Sequence, residues 1–146
     1  MSSSTISSET LHASCVARNG GAVLIGGKSG AGKSDLALRL IDRGAVLVSD
    51  DYTLVKRVKQ RLVAAPPMTI AGKLEVRGLG IVELPFVSDV PVCLYVDLDR
   101  TSERLPELDD TIFVAGIKVP VIAMDSSQLS APLKVELALD LRGLKP

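Results

Sequence analysis

Apolar and polar positions change their period several times along the chain, and each change marks an element. Residues 13–16 and 22–25 are short apolar runs on either side of Asn19, Gly20 and Gly21, residue types that accept positive φ, so the pattern predicts a β-hairpin. The second run leads straight into a glycine-rich segment, 26–32. Beyond it Leu36, Ala37, Leu40 and Ile41 recur at helical spacing, with Gly44 placed to follow the last turn, which predicts a helix over 34–43. Val46, Leu47 and Val48 then form a compact apolar run ending in Ser49, Asp50 and Asp51. Strand, loop, helix and strand in this order make a βαβ unit, and such a crossover places its two strands parallel in one sheet.

Further along, 52–58 and 61–65 alternate apolar with polar side chains about Lys59 and Gln60, which predicts an exposed antiparallel pair that Pro66 and Pro67 end. Residues 92–96 are the best remaining buried strand, with Asp97, Leu98 and Asp99 at its carboxyl end, and 119–123 is another. Over 130–141, Leu133, Leu137 and Leu141 stand at i, i+4 and i+8 behind a Ser130 cap with Pro132 in the first turn, a terminal amphipathic helix. Residues 1–10 are rich in Ser and Thr and lack any apolar period, so they read as a loose tail, with order beginning near Leu11. No repeat and no interdomain linker interrupts 11–146, which reads as a single domain of the α/β class with a mixed sheet.

Composition narrows the chemistry. The chain has 146 residues, 47% of them apolar and 23% charged, which suits one globular domain. Seventeen basic and 17 acidic side chains cancel, so a polyanionic partner held by bulk charge is not expected, neither nucleic acid nor an anionic membrane. With two Tyr, two Phe and no Trp there is little to stack single-stranded bases on. No apolar stretch reaches the roughly 18 residues of a membrane span. The first ten residues carry Glu9 and no basic segment, so a cytoplasmic protein is expected. Cys15 and Cys93 form no metal-ligand spacing and read as small core residues.

The sharpest signal is Gly27-Lys28-Ser29-Gly30-Ala31-Gly32-Lys33-Ser34, a complete GxxxxGK[ST] phosphate loop (Walker A) between an apolar strand and a helix. Its glycines let backbone N–H groups turn inward around a phosphate, and the helix N-terminus adds partial positive charge. Lys33 reaches the terminal phosphates, and the Ser34 hydroxyl is a Mg²⁺ ligand. Asp50 and Asp51 end the next strand, where open α/β sheets place their ligands. Neighbouring side chains there point to opposite sides, so one carboxylate serves the nucleotide and metal while the other meets an incoming hydroxyl. In Leu74-Glu75-Val76-Arg77-Gly78-Leu79-Gly80 an acid and a base share one side of an extended stretch, Glu75 as a further metal-facing carboxylate and Arg77 as a charge-neutralising group. His12, the sole histidine, and Arg104 carry little signal individually.

Together these pieces resemble the bacterial HPr kinase/phosphorylase family in a short form without its separate N-terminal domain. The resemblance spans about 11–142 and is carried by His12 fifteen residues before Gly27, the phosphate loop, the Arg43-Gly44 step, Asp50-Asp51, the segment from Glu75 to Gly80, and Arg104-Leu105. It implies a fold related to the phosphoenolpyruvate carboxykinase core. It also implies an ATP- and Mg²⁺-dependent kinase acting on a serine of the phosphocarrier HPr, reversal with orthophosphate, and a homohexamer. By position Asp51 matches the family's proton acceptor, Ser34 and Glu75 its magnesium ligands, and His12, Lys33 and Arg104 other active-site positions. The chain departs from the family pattern at Asp35, usually Glu, and at Ala45, commonly His. The basic stretch linked with dephosphorylation in many longer members is replaced by Met124-Asp125-Ser126-Ser127-Gln128-Leu129-Ser130. Two other readings of the same loop stand beside this one: a small-molecule kinase, and a nucleotide-sensing module that performs no chemistry.

Overall fold

The computed structural model describes residues 8–101 and 110–146. Eleven strands and two α-helices follow one another among them. The main sheet has the order β1 (Ser8–Leu11), β5 (Thr53–Val58), β6 (Arg61–Ala65), β9 (Val90–Asp97), β3 (Gly21–Gly26), β2 (Ala13–Arg18), β4 (Val46–Ser49). The β2–β3 hairpin forms as its turn residues require, with Asn19 at φ 54° and Gly20 at φ 81°. Strands β3 and β4 flank α1 (Lys33–Asp42) in sequence and run parallel, but β2 lies between them and pairs antiparallel with both. The parallel neighbours are β3, β9 and β11 (Ile117–Ala123). One edge of β9 is shared, Val90 and Pro91 pairing with β6 and its last three residues with β11.

A bulge at Cys93 explains how β9 serves two cores. Ala22 pairs with Val92 and Val23 with Leu94, so one residue is inserted and the side-chain parity flips. Val90 and Val92 therefore join the cluster with Leu24, Val55, Leu62 and Ala64, whereas Leu94 and Val96 join the cluster under the helices. Helix α1 buries Leu36, Ala37 and Leu40 in that second cluster. Each fully buried leucine contributes about 2 kcal/mol of burial free energy.

Several expectations are corrected. Residues 8–10, expected within a loose tail, belong to β1, which hydrogen-bonds along β5 in the register Ser8–Lys56 to Leu11–Thr53. The β5–β6 pair is exposed on one face only, since Val55, Leu62 and Ala64 are core residues. The extended stretch expected over 74–80 is β7 (Lys73–Val76) followed by a turn, and β8 (Gly80–Glu83) and β10 (Thr111–Val114) are additional to the expected strands. Helix α2 (Ala131–Arg142) begins after Ser130, but no side-chain hydrogen bond caps it. It buries Ala131, Pro132, Val135 and Glu136, while Leu133, Leu137 and Leu141 are 44%, 58% and 79% exposed, so the leucine stripe faces outward. The inward face is instead the one carrying Ala131 and Val135, which join the second core cluster with Ala138 and Leu139 packed against it. Beside it Nε and Nη2 of Arg43, at the C-terminal end of α1, donate to the Glu136 carboxylate at 2.9–3.1 Å. No helix among the described residues is long and apolar enough to cross a membrane.

Candidate active site

The phosphate loop leaves β3 at Gly26 and enters α1 at Lys33, with Gly30 and Gly32 at φ 85° and 99°. Gly32 is the N-cap and offers no side chain, so the first-turn N–H groups of α1 have no side-chain cap and stay available to an anion. Lys33 is 5% exposed, and its Nζ donates to the carbonyls of Gly27 (2.8 Å) and Lys28 (3.2 Å), folding the ammonium into the loop. Ser29 and Gly30 form its exposed tip. Two neighbours brace the loop. Asp99, beyond the end of β9, accepts the Lys28 N–H on both oxygens at 3.1 and 3.0 Å, and Ser126 Oγ donates to the Ala31 carbonyl at 2.7 Å. Arg39 of α1 in turn donates to the carbonyls of Ser126 and Gln128. Tyr95 packs against Gly26, where any Cβ would run into its hydroxyl. Burial, and then Asp97 and Asp99, push its phenol up from the ordinary value, so it stays neutral.

Asp50 is the hub. It is 6% exposed and its Oδ1 accepts the hydroxyls of Ser34 (2.6 Å) and Ser14 (2.9 Å), while Oδ2 accepts the Glu75 N–H (3.0 Å). One carboxylate thus ties α1, β2 and β7 together, holding the Ser34 hydroxyl and the backbone of Glu75, whose side chain is exposed. Ser14 is completely buried and also accepts the Asp51 N–H at 3.0 Å. Asp51 has φ 67°, and the Tyr52 N–H donates back to the Asp50 carbonyl at 2.7 Å, closing a tight γ-turn around it. A non-glycine residue at that φ costs about 1–3 kcal/mol and persists only where its surroundings hold it. The turn, rather than strand alternation, sends Asp50 inward and leaves the Asp51 side chain 51% exposed.

The Asp51 Oδ1 meets His12 Nε2 at 2.9 Å and lies 4.0 Å from Lys33 Nζ. His12 sits between β1 and β2, with its ring stacked on Tyr52 at a centroid distance of 5.1 Å. The structure therefore brings His12, Lys33, Ser34, Asp50, Asp51 and the backbone of Glu75 into one cluster. Arg77 is different. It lies in the β7–β8 turn, because Gly78 and Gly80 at φ 90° and 96° bend the chain there, so it does not share a strand face with Glu75. It is exposed and has no hydrogen-bond or ion-pair partner among the described residues. Arg104 lies outside the described residues.

Sequence reading missed Ser14, Tyr52, Asp99 and Ser126. Ser14 carried a signal, as a hydroxyl inside the run Ala13 to Val16 needs a buried partner. Asp99 carried another, standing at the carboxyl end of the best buried strand. The donor set at Asp50 consists of hydroxyl and carboxylate oxygens, the hard ligands Mg²⁺ takes alongside substrate phosphates. Among the described residues no group of three or more His, Cys, Asp or Glu is arranged to hold a metal alone. The residues fit a metal shared with phosphate.

A family model described as the HPr Serine kinase C-terminal domain matches residues 4–88. The HPr kinase/phosphorylase of Clostridium acetobutylicum is 45% identical over 109 residues, 66% of this chain and 36% of that protein. That of Caldicellulosiruptor bescii is 34% identical over 128 residues, 79% and 41% respectively. The chain covers 24% to 41% of the length of the curated relatives it matches. The solved structure of the HPr(Ser) kinase/phosphatase from Coxiella burnetii superposes with a TM-score of 0.78 at 30% identity, covering 90% of this chain and 94% of that one.

Proposed function

Because the chain belongs to the HPr Serine kinase C-terminal domain family, we propose that it is an ATP- and Mg²⁺-dependent kinase that phosphorylates a serine of HPr. The observation that carries this reading is the placement of Asp51, an exposed carboxylate held in a strained turn 4.0 Å from the phosphate-loop Lys33. A nucleotide sensor or a bare phosphate cradle has no need of such a group. A small-molecule kinase would use it equally well, and the acceptor assay below separates that reading.

Each residue's task follows from its surroundings. The phosphate-loop amides and Lys33 bind the phosphates of ATP, Lys33 exchanging its loop carbonyl partners for phosphate oxygens. Ser34 and Glu75 would hold Mg²⁺, with Asp50 anchoring the Ser34 hydroxyl and the Glu75 backbone. When bound, the metal neutralises charge on the phosphate oxygens. Asp51 accepts the proton of the attacking serine hydroxyl, a role worth about 10²- to 10⁴-fold in rate. His12 donates to Asp51 Oδ1 and fixes its orientation. Arg77, free on its turn, and Arg104 supply positive charge to the transferring group. The outward leucine stripe of α2 supports assembly into a homo-oligomer, a hexamer by resemblance.

The test is direct. Purified protein is incubated with ATP, Mg²⁺ and HPr from the same organism, and the intact mass of HPr is measured. One added phosphoryl group located on serine is expected. Unmodified HPr, with nucleotide demonstrably bound, or phosphoryl transfer to small acceptors only, would refute the assignment.

A further inference from the structure

A cavity of about 580 Å³ opens at the end of the sheet opposite the phosphate loop, within the size range of small-molecule sites. Arg18 at the end of β2, Val46 at the start of β4, and Val87, Asp89 and Val90 leading into β9 all line it. Two of these groups have unused capacity. Arg18 donates from Nη1 to Asp140 of α2 at 2.9 Å, which fixes its guanidinium, yet its Nε and Nη2 make no hydrogen bond among the described residues. That edge of a guanidinium is the fork that grips a carboxylate through two parallel bonds. Asp89 is exposed, held at φ 59°, and has no hydrogen-bond or ion-pair partner among the described residues. Strained backbone of this kind collects at ligand sites. Val46 and Val87, 36% and 37% exposed, supply an apolar wall. Arg43, which also lines the cavity, is committed to Glu136 through both Nε and Nη2 and adds no second fork.

We propose that this cavity binds a small amino or hydroxy carboxylic acid with an apolar side chain. Its carboxylate is received on the free edge of Arg18, its amino or hydroxyl group donates to Asp89, and its apolar part lies against the valines. Phosphate alone is a poorer match, because Asp140 already offsets the charge of Arg18 and a bare anion leaves both Asp89 and the apolar wall without a partner.

The experiment is an amide-resolved NMR titration of the full chain with 3-phenyllactate and with L-phenylalanine, and with 3-phenylpropanamide as a neutral control. Saturable shifts confined to residues around Asn19, Gly44 and Val90 are expected for both acids, with the amide at least about tenfold weaker. Arg18→Gln weakens the acids about tenfold and leaves the amide unchanged, and Asp89→Asn weakens L-phenylalanine more than 3-phenyllactate. Val46→Trp fills the cavity and removes binding, while an otherwise unchanged spectrum shows the fold intact. Absence of saturable shifts with either acid, shifts centred elsewhere, or acid binding indifferent to Arg18→Gln would overturn the proposal.

Discussion

Ser14→Ala removes a single oxygen from the most connected point of the site. That oxygen donates to Asp50 Oδ1 at 2.9 Å and accepts the Asp51 N–H at 3.0 Å, inside a residue with no exposed surface. A hydrogen bond to a charged group contributes about 1.5–3 kcal/mol and a neutral one about 1 kcal/mol, so the variant should lose about 3 kcal/mol of stability. For a chain of this size that lowers Tm by about 10 °C. Urea unfolding with an unchanged slope is the assay, because a changed slope would report an altered denatured state instead. Ser34 Oγ donates to the same Asp50 oxygen at 2.6 Å, so the two hydroxyls are coupled. A double-mutant cycle of Ser14→Ala with Ser34→Ala should show a non-additive term of at least about 0.5 kcal/mol. A loss below about 1 kcal/mol for Ser14→Ala, or strict additivity, would show that Asp50 is not the hub described above.

Other outcomes follow from the same geometry. Gly32→Ala combines a φ of 99° with a methyl that runs into Ser126 Oγ, so it should reduce nucleotide affinity in calorimetry and destabilise the fold by more than about 1 kcal/mol. The Ser127 hydroxyl, and then its N–H, hold the Asp125 carboxyl below its ordinary value. Its folded value lies below the unfolded one, so the contribution is present above about pH 4 and fades as the pH falls through the folded value. Ser127→Ala should move the Asp125 carboxyl titration, followed by NMR, upward. Burial pushes both Cys15 and Cys93 thiols up, so thiol reagents should label the native chain slowly and the urea-unfolded chain at once. Attack of orthophosphate on phosphoserine-HPr, with release of pyrophosphate, should be slower than the kinase reaction, since residues 124–130 place Ser126 against the loop and contain no basic side chain.

Much of the site-bearing half was legible because its signals are local. The hairpin turn at Asn19-Gly20, the phosphate loop and the helix behind it each depend on residues a few positions apart. Asp50 and Asp51 were readable as a pair with divided roles, though the division comes from a γ-turn at Asp51 that no spacing encodes. Helix α2 shows the opposite case. Its leucines match a buried helical stripe, yet Ala131 and Val135 join the core cluster of Leu36, Leu40 and Leu94 and so face inward, with Glu136 paired to Arg43, 93 residues away. The Cys93 bulge and the insertion of β2 between β3 and β4 likewise rest on long-range register, and β7 and β8 are too short for their alternation to stand out. Asp99 and Ser126 reach the loop across 71 and 95 positions, distances over which periodicity carries no information.

Asp51 is assigned the proton transfer and the phosphate loop the holding of the nucleotide. Asp51→Asn keeps the side chain's shape, its backbone N–H to Ser14 and an oxygen that accepts from His12, and removes only the base. Single-turnover transfer to HPr should fall by about 10²-fold or more while the affinity for ATP with Mg²⁺, measured on the same protein, stays within about threefold. A variant that transfers at the normal rate, or one that loses nucleotide binding in proportion to its rate, would contradict the account.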